Sequence, residues 1–256
     1  MNDLELYFRN NQGRLIHKWN NYFDIYDKHF SKYRGKEVVI VEIGVFQGGS
    51  LQMWKNYFGG KAKIYGVDIN PECKKFEEEN IEIIIGSQSD RKFLKELVKK
   101  LPSIDILIDD GGHTFEQQIV SFEELFPYVK KDGIYLCEDT HTSYEMKYGG
   151  GHKRQGTFIE YSKNFIDQLY GYFSEQKSLK VTDLTKSILS VTYYCGIVVM
   201  EKGTMEKPFT EKIGVPNPAF DTLPKKQGSY KKMKVGILFA INSVLRFFRL
   251  PSFIWK

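Results

Sequence analysis

Short apolar runs alternate with segments of helical periodicity through most of the chain. Five runs have the length and composition of buried strands, namely Val38–Ile43, Lys63–Val67, Ile81–Ile85, Ile104–Ile108 and Gly133–Cys137. Amphipathic segments lie between most of them, so consecutive strands are expected to run parallel. This alternation predicts a doubly wound α/β domain built on a mostly parallel sheet.

The pattern changes after the fifth run. It predicts a helix over Phe158–Phe173 and then strands near Leu179–Leu184 and at Thr192–Glu201. These two strands would form an antiparallel pair. The sheet is therefore expected to have seven strands, with an antiparallel last strand.

Helical segments flank the sheet domain. Leu4–Tyr33 has helical periodicity and many aromatic residues, which favours one or two helices packed on the domain or on a second subunit; His17 and His29 are interpreted there as surface or packing residues. The proposed division is residues 1–34 as a helical extension, 35–203 as the α/β domain, 204–229 as a linker and 230–256 as a C-terminal amphipathic helix.

Charge separates the C-terminal segment from the rest of the chain. The 256 residues carry a net charge of +5, yet Lys225–Lys256 contains eight Lys or Arg and no acid, which leaves 29 basic and 32 acidic residues before it. The slightly acidic body argues against nucleic-acid binding. Three cysteines without a C-x-x-C pair favour a reduced, cytoplasmic protein.

The C-terminal helix combines basic residues with an apolar, aromatic surface. Tyr230–Lys256 is therefore a candidate for peripheral association with the inner face of a membrane. Its uncharged run, Val235–Leu245, is too short to span a bilayer. Docking of the helix on the domain, or on a partner protomer, remains the alternative.

A glycine-rich turn follows the first strand. Gly44 ends the strand, and Gly48, Gly49 and Ser50 open a helix that runs through Phe58. Such a turn lets the backbone approach a ligand closely, at a helix N-terminus that favours polar groups. The spacing E-x-G-x-x-x-G-G departs from the dinucleotide pattern G-x-G-x-x-G.

Polar residues follow the second and third strands. Asp68 lies at the tip of the second strand, where an acid typically accepts hydrogen bonds from ribose hydroxyls. The third strand is followed by GSQSD, in which Ser87 or Gln88 could face an adenine edge and Asp90 is expected to cap the next helix.

Acidic residues follow the fourth and fifth strands. Asp109 and Asp110 end one strand and Glu138 and Asp139 end the next, with His113 nearby. Parallel neighbours open at the same sheet edge, so these side chains suggest a hard divalent cation and a base. Helix caps or solvated turns are the alternative interpretation of each acid.

The order of these motifs resembles the class I S-adenosylmethionine-dependent methyltransferases. ExGxxxGGS, strand–Asp, GSQSD, DDGGH and EDT follow one another between about Gly13 and Gly203. The pairing of DDGGH with EDTxTSY is similar to the metal-dependent group that includes mycinamicin-type sugar O-methyltransferases and cephalosporin hydroxylase-like proteins. The resemblance implies a Rossmann-like sheet and transfer of a methyl group to a sugar hydroxyl of a glycan or glycosylated metabolite.

The resemblance also implies roles for individual residues. S-adenosylmethionine would contact Glu42, Gly44, Gly48 and Ser50 at its methionine part and Asp68 at its ribose, with Gln88 and Asp109 also on the cofactor side. Mg²⁺ would be held by Asp110, Glu138 and Asp139, and His113 would be the general base. Ser87 replaces an acid that is common in the family's GDQSD segment, so adenine recognition is the least defined part.

Other functions remain open at this stage. An oxidative, hydroxylase-like enzyme would need iron ligands of a kind not evident in the spacing. A non-catalytic cofactor-binding subunit of glycan assembly would have no need of His113 and the acids, and a dehydrogenase is disfavoured by the turn. The Gly-rich segment after Asp139, with Tyr144, Tyr148 and His152, is a candidate lid over an acceptor, and a homo-oligomer is expected.

Overall fold

Seven strands form one sheet in the order β3-β2-β1-β4-β5-β7-β6. They are β1 (Val39–Ile43), β2 (Lys63–Asp68), β3 (Ile81–Ile85), β4 (Ile104–Asp109), β5 (Val129–Cys137), β6 (Ile188–Tyr193) and β7 (Val198–Lys202). The first five are parallel, and β7 runs antiparallel to both β5 and β6. This computed structural model, which describes residues 1–215, 229–248 and 250–253, confirms the predicted fold class.

Eight helices belong to the described part of the first of two units, Met1–Pro208. They are α1 (Asp3–Arg9), α2 (Tyr22–Phe30), α3 (Gly49–Phe58), α4 (Arg91–Lys100), α5 (Phe115–Leu125), α6 (Phe158–Ser162), α7 (Asn164–Leu169) and α8 (Asp183–Ser187). Local sequence explains two of the starts. Asp90 caps α4, as predicted, and Thr114 with Gln117 forms a capping box on α5.

The structure corrects the predicted elements between α5 and the last strand. The strand predicted near Leu179–Leu184 is wrong, because Thr182 caps helix α8 in that region. The run predicted as one strand over Thr192–Glu201 contains the turn between β6 and β7, where Gly196 has φ +85°. The predicted helix over Phe158–Phe173 is divided into α6, α7 and a 3₁₀ turn.

Two other segments also differ from a regular helix. The short helix that the pattern predicts around Glu72–Glu79 is a 3₁₀ helix over Pro71–Phe76. The N-terminal extension forms α1 and α2, but residues 10–20 between them are a loop. That loop is important because it crosses the carboxyl ends of the strands.

Aromatic packing fixes α2 and thus the end of this loop. Tyr26 and Phe30 of α2 contact Trp54 of α3 edge-on, with ring centroids 5.0 and 5.9 Å apart. All three side chains are fully buried. Removing such a ring typically costs about 3–5 kcal/mol, so α2 is firmly attached to the face of the sheet that α3 covers.

The second unit, Phe209–Lys256, contains the helix α9 (Ser229–Phe247). Its apolar side chains are largely exposed, and they include Met233, Val235, Ile237, Phe239, Ile241, Val244, Phe247 and also Phe248 beyond the helix. Among the residues that the structure describes, no helix is long and apolar enough to cross a bilayer. Half of the predicted linker, 216–228, lies outside the described residues.

Candidate active site

A cavity of about 420 Å³ lies at the carboxyl end of the sheet. Its walls come from the turn after β1, the tip of β2, the loops after β3 and β4, Asp139 after β5, and the N-terminal loop. This is where parallel α/β sheets bind their ligands. The N-terminal loop contributes Leu15, His17 and Lys18.

Gly44 allows the ends of β1 and β4 to approach one another. Its φ is +93°, and a Cβ added there would lie 2.0 Å from the carbonyl oxygen of Asp110. Gly48, with φ +73°, is the N-cap of α3. Both positions therefore require glycine for conformation. Both also require it for space, since a Cβ added at Gly48 would lie 2.7 Å from the Phe76 ring.

Asp68 holds the glycine turn in place. Its Oδ2 accepts hydrogen bonds from the backbone N–H groups of Val45 (2.8 Å) and Phe46 (3.1 Å), and its Oδ1 accepts one from Asn70 (2.8 Å). The carboxylate lines the cavity and is only partly buried. The Oδ1 atom accepts only one of these bonds and retains acceptor capacity, so Asp68 can still accept a hydrogen bond from a ribose hydroxyl.

Glu42 lies behind the turn rather than in the cavity wall. It is fully buried and accepts hydrogen bonds from Ser50 Oγ (2.9 Å) and Trp54 Nε1 (3.1 Å). Burial raises the pKa of the Glu42 carboxyl to about 7, against the opposing effect of nearby Lys18. Ser50 itself lines the cavity, so Glu42 can act on a ligand there through Ser50.

Gln88 and Asp109 form a buried pair beneath the DDGGH loop. The Gln88 Nε2 donates to Asp109 Oδ1 (2.9 Å) and to Ser121 Oγ (3.1 Å), while its Oε1 accepts from the Gly112 N–H (2.7 Å). Both amide hydrogens of Gln88 are thus used inside the protein. Asp109 also accepts from the Tyr135 hydroxyl (2.9 Å), and burial raises its pKa to about 7.

These contacts define what the predicted cofactor residues do in the structure. Gly44, Ser50, Asp68 and Gln88 line the cavity. Gly48 lies next to this wall as the α3 cap, whereas Glu42 and Asp109 lie behind it. The sequence prediction of direct cofactor contact at these positions stays a prediction, and the structure favours a supporting role for Glu42 and Asp109.

The structure brings together Asp110, His113 and Asp139. One ligand atom from each lies within 4.8 Å of the others. The Nε2 of His113 is 3.5 Å from Asp139 Oδ2, and its buried Nδ1 has no hydrogen-bond partner. Tyr22 of α2 donates to Asp139 Oδ1 at 2.8 Å, which orients this carboxylate from the opposite side.

The backbone at this cluster is unusual. His113 has φ +56° and Asp139 has φ +52°, in the left-handed region that non-glycine residues seldom adopt. Thr142 donates its hydroxyl hydrogen to the His113 carbonyl oxygen at 3.0 Å, which ties the loop after β5 to the loop after β4. Strained backbone of this kind is concentrated at functional sites.

Glu138, the third predicted metal ligand, is held by a residue that the sequence prediction missed. Its two carboxylate oxygens lie 3.0 and 2.9 Å from the Nζ of Lys18, which also contacts Asp110. Lys18 is 92 residues from Asp110 in the chain, and the N-terminal segment reads as packing helix. No spacing in the sequence predicts the contact between Lys18 and these acids, which depends on the path of the N-terminal loop.

The cluster suits a hard divalent cation. Asp110 and Asp139 offer carboxylate oxygens, which Mg²⁺ prefers, and the site opens onto a cavity with room for further oxygen ligands. The unpaired buried Nδ1 of His113 shows that the imidazole is not saturated by protein partners. The residues present therefore fit the predicted metal and base.

A second cavity of about 110 Å³ borders the same acids on the other side of Lys18. Its wall includes Trp19, whose side chain is 53% exposed and meets the His141 ring edge-on at 5.3 Å. His17, interpreted from sequence as a surface or packing residue, is exposed and lines both cavities. The acidic cluster thus lies between two open spaces.

Comparison with known proteins identifies the domain. A methyltransferase domain family model matches residues 41–140. Demethylmacrocin O-methyltransferase of Streptomyces fradiae is 34% identical over 203 residues, which cover 74% of this chain and 51% of that protein. Mycinamicin VI 2''-O-methyltransferase of Micromonospora griseorubida is 34% identical over 189 residues, covering 70% and 47%.

Solved structures agree with this relationship. The MycE methyltransferase of mycinamycin biosynthesis, in complex with Mg, S-adenosylhomocysteine (SAH) and mycinamycin VI, superposes with a TM-score of 0.69 at 28% identity, over 91% of this chain and 58% of that one. The chain spans about half the length of the curated relatives it matches. The resemblance inferred from the motifs is confirmed.

Proposed function

We propose that this chain, which contains a methyltransferase domain and is similar to the macrolide sugar O-methyltransferases, methylates a sugar hydroxyl, with S-adenosylmethionine as donor and Mg²⁺ as metal. The observation that carries the proposal is the shared wall: Asp110, His113 and Asp139 line the same cavity as the glycine turn and Asp68. A methyl donor and an activated hydroxyl can therefore meet within one space.

The cofactor half of the cavity follows from the turn. Gly44 and Ser50 form the wall for the methionine part, Gly48 starts the helix beneath it, and Asp68 accepts from the ribose hydroxyls. Phe46 has φ +51° and is 59% exposed at the position where a dinucleotide-binding turn has its second glycine. Its side chain disfavours close approach of a pyrophosphate and thus a nicotinamide dinucleotide.

The acceptor half uses the acids and the histidine. Asp110 and Asp139, with Glu138 as the further predicted ligand, would hold the metal, which when bound lowers the pKa of a coordinated hydroxyl. His113 Nε2 takes the hydroxyl proton, and Asp139 Oδ2 at 3.5 Å stabilises the resulting imidazolium. The acceptor oxygen forms its bond to the methyl carbon as the carbon–sulfur bond breaks, and S-adenosylhomocysteine leaves.

The acceptor class rests on the relatives and on the second cavity. The relatives act on small-molecule glycosylated substrates, and we propose a glycosylated metabolite or glycan for this chain. Trp19 presents an exposed aromatic face beside the acids, a surface on which the apolar face of a sugar ring can stack. Tyr144, which is 51% exposed in the turn after Asp139, is a further candidate contact.

The exposed apolar helix α9 carries a further proposal. Its exposed apolar side chains and the basic residues of the C-terminal segment suit peripheral binding to an anionic bilayer. Packing of α9 against a partner protomer of a homo-oligomer is the competing explanation. Light scattering of the full chain and of a chain lacking 230–256 separates the two explanations, because only packing against a partner protomer predicts a change in the number of chains per particle.

A transfer assay tests the enzyme proposal. Labelled S-adenosylmethionine is incubated with the protein and a panel of glycosylated acceptors, with and without EDTA, and with His113→Ala. General base catalysis typically contributes about 10²–10⁴-fold, so the variant should lose transfer by that factor while calorimetry still detects cofactor binding. Undiminished transfer in both conditions would contradict the metal-and-base mechanism.

No observation favours an oxidative enzyme. Among the described residues, the candidate metal cluster contains one histidine and two carboxylates, whereas the non-haem iron oxygenases use two histidines and one carboxylate. Transfer that requires iron, oxygen and a reductant would reopen that alternative.

A further inference from the structure

Lys18 is a buried cation inside the acidic cluster. Its side chain is 3% exposed, and its Nζ contacts Asp110, lies 2.9 Å from the nearer Glu138 oxygen and 3.8 Å from Glu42 Oε1. It stands in the N-terminal loop just before α2. The ammonium therefore joins the acid behind the glycine turn to the acids of the candidate metal site.

The charge balance explains why this lysine is needed. Glu42 and Glu138 are 0% and 1% exposed, and burying carboxylates without a partner is strongly unfavourable. The Lys18 Nζ contacts a carboxylate oxygen of each of Glu42, Asp110 and Glu138, and it is the one cation in contact with these acids among the described residues. An ammonium held among three carboxylates supplies the positive charge that their burial requires.

Asp110 links this lysine to the candidate metal site. Its Oδ2 contacts Lys18, while the same residue belongs to the donor cluster with His113 and Asp139. Lys18 also lines both cavities, so the ammonium lies at the boundary of the cofactor and acceptor spaces. Two cations that share carboxylates repel one another and compete for the same negative charge.

We propose that Lys18 is a positioning residue that shares Asp110 and Glu138 with the divalent cation, orienting both carboxylates and limiting the affinity of the site for the cation. This inference rests on the proposed metal dependence. The inference also goes beyond the proposed metal dependence, because the predicted ligand set contains no positively charged side chain. A divalent ion bound at the cluster should be able to take over the charge-neutralising part of the role of Lys18, but not its orienting part.

The test compares Lys18→Met with the charge-conserving Lys18→Arg in the full-length protein. Free Mn²⁺ is measured by electron paramagnetic resonance during a titration, and S-adenosylmethionine binding is measured by calorimetry. Loss of a neighbouring positive charge should tighten Mn²⁺ binding by at least about tenfold in Lys18→Met. Lys18→Arg keeps the positive charge, so its affinity for Mn²⁺ should stay within about threefold of the native value.

Transfer activity provides the readout that a purely structural role would not reproduce. The inference predicts that Lys18→Met binds Mn²⁺ more tightly yet has a lower kcat, because its carboxylates are no longer oriented. A merely structural lysine would give weaker binding and lower kcat together. Lys18→Met that folds and binds Mn²⁺ with native or weaker affinity overturns the inference.

Three uncompensated carboxylates could prevent Lys18→Met from folding without metal. Its Tm is therefore measured against Mn²⁺ concentration, and the ion should raise the Tm of the variant more than that of the native protein. A variant that stays unfolded in saturating Mn²⁺ overturns the inference. If neither the native protein nor any variant binds Mn²⁺, the proposed metal dependence fails as well; if only the difference between them is missing, the Lys18 inference alone fails.

Discussion

Gly44 gives the most quantitative test of how the sheet builds its site. A methyl group at Gly44 would lie 2.0 Å from the carbonyl oxygen of Asp110 and 2.6 Å from its carbonyl carbon. Side-chain Cβ atoms essentially never come closer than 3.0 Å to another heavy atom, so β1 and β4 must separate by about 1 Å at this point. Both contacting atoms belong to the backbone, so no rotamer change relieves the overlap.

Two costs add in Gly44→Ala. The left-handed φ of +93° is unfavourable for alanine, by about 1–2 kcal/mol. Overpacking in a tight core adds about 1–3 kcal/mol. The variant should therefore lose about 2–5 kcal/mol of unfolding free energy, and the displaced Asp110 should weaken Mn²⁺ binding and reduce transfer by about 100-fold.

Gly59→Ala is the matched control. Gly59 has a similar φ of +88°, but an added Cβ would meet nothing within 4 Å. It should lose only the conformational part, about 1–2 kcal/mol, and keep native Mn²⁺ affinity. Urea titrations of both variants measure the difference, and equal losses of stability with equal metal affinity would refute the steric argument.

Three further predictions follow from single features. If Trp19 stacks on the sugar, Trp19→Ala should raise the KM for the acceptor about tenfold or more, with little change in kcat or in cofactor binding. Tyr170→Ala is the control, because Tyr170 is a 61% exposed aromatic residue that lines neither cavity. Equal KM values for the two variants would exclude the stacking role. Burial lowers the pKa of the His29 imidazole, and this effect outweighs the opposing effect of the nearby Glu201 carboxylate. Just below the ordinary histidine pKa of about 6.5, the unfolded chain therefore binds more protons than the folded protein. The free energy of unfolding should then fall as the pH drops through that value. Urea midpoints against pH should show this slope reduced in His29→Gln, and an unchanged slope would contradict it. Deleting 230–256 should release the protein from anionic liposomes in a sedimentation assay, and full-length protein that stays in the supernatant would rule out the membrane proposal.

The fold was predictable because the strands are local signals. The parallel runs are buried on both faces and read as continuous apolar segments, and Asp90 reads as a helix cap. The antiparallel end was harder. There β6 is largely half-buried or exposed, and the hairpin turn at Gly196 lies inside a run that looks continuous in the sequence.

Most residues of the site were predictable from the sequence, but the long-range ion pairs that connect them were not. Strand-end residues such as Asp68, Asp110 and Asp139 meet because parallel strands end at one sheet edge. Lys18 comes from a loop that reads as helix, and its contacts depend on aromatic packing of α2 against α3. Long-range ion pairs of this kind leave no periodic or spacing signal in a single sequence.

The most direct test of the central claim is a crystal structure of the protein with S-adenosylhomocysteine and Mn²⁺, recorded with anomalous scattering. We expect cofactor density along the Gly44 turn and Asp68, and an anomalous Mn²⁺ peak ligated by Asp110 and Asp139, with His113 facing the same space. A peak elsewhere, or a cofactor bound away from the carboxyl end of β1, would contradict the placement of a methyl donor beside a metal.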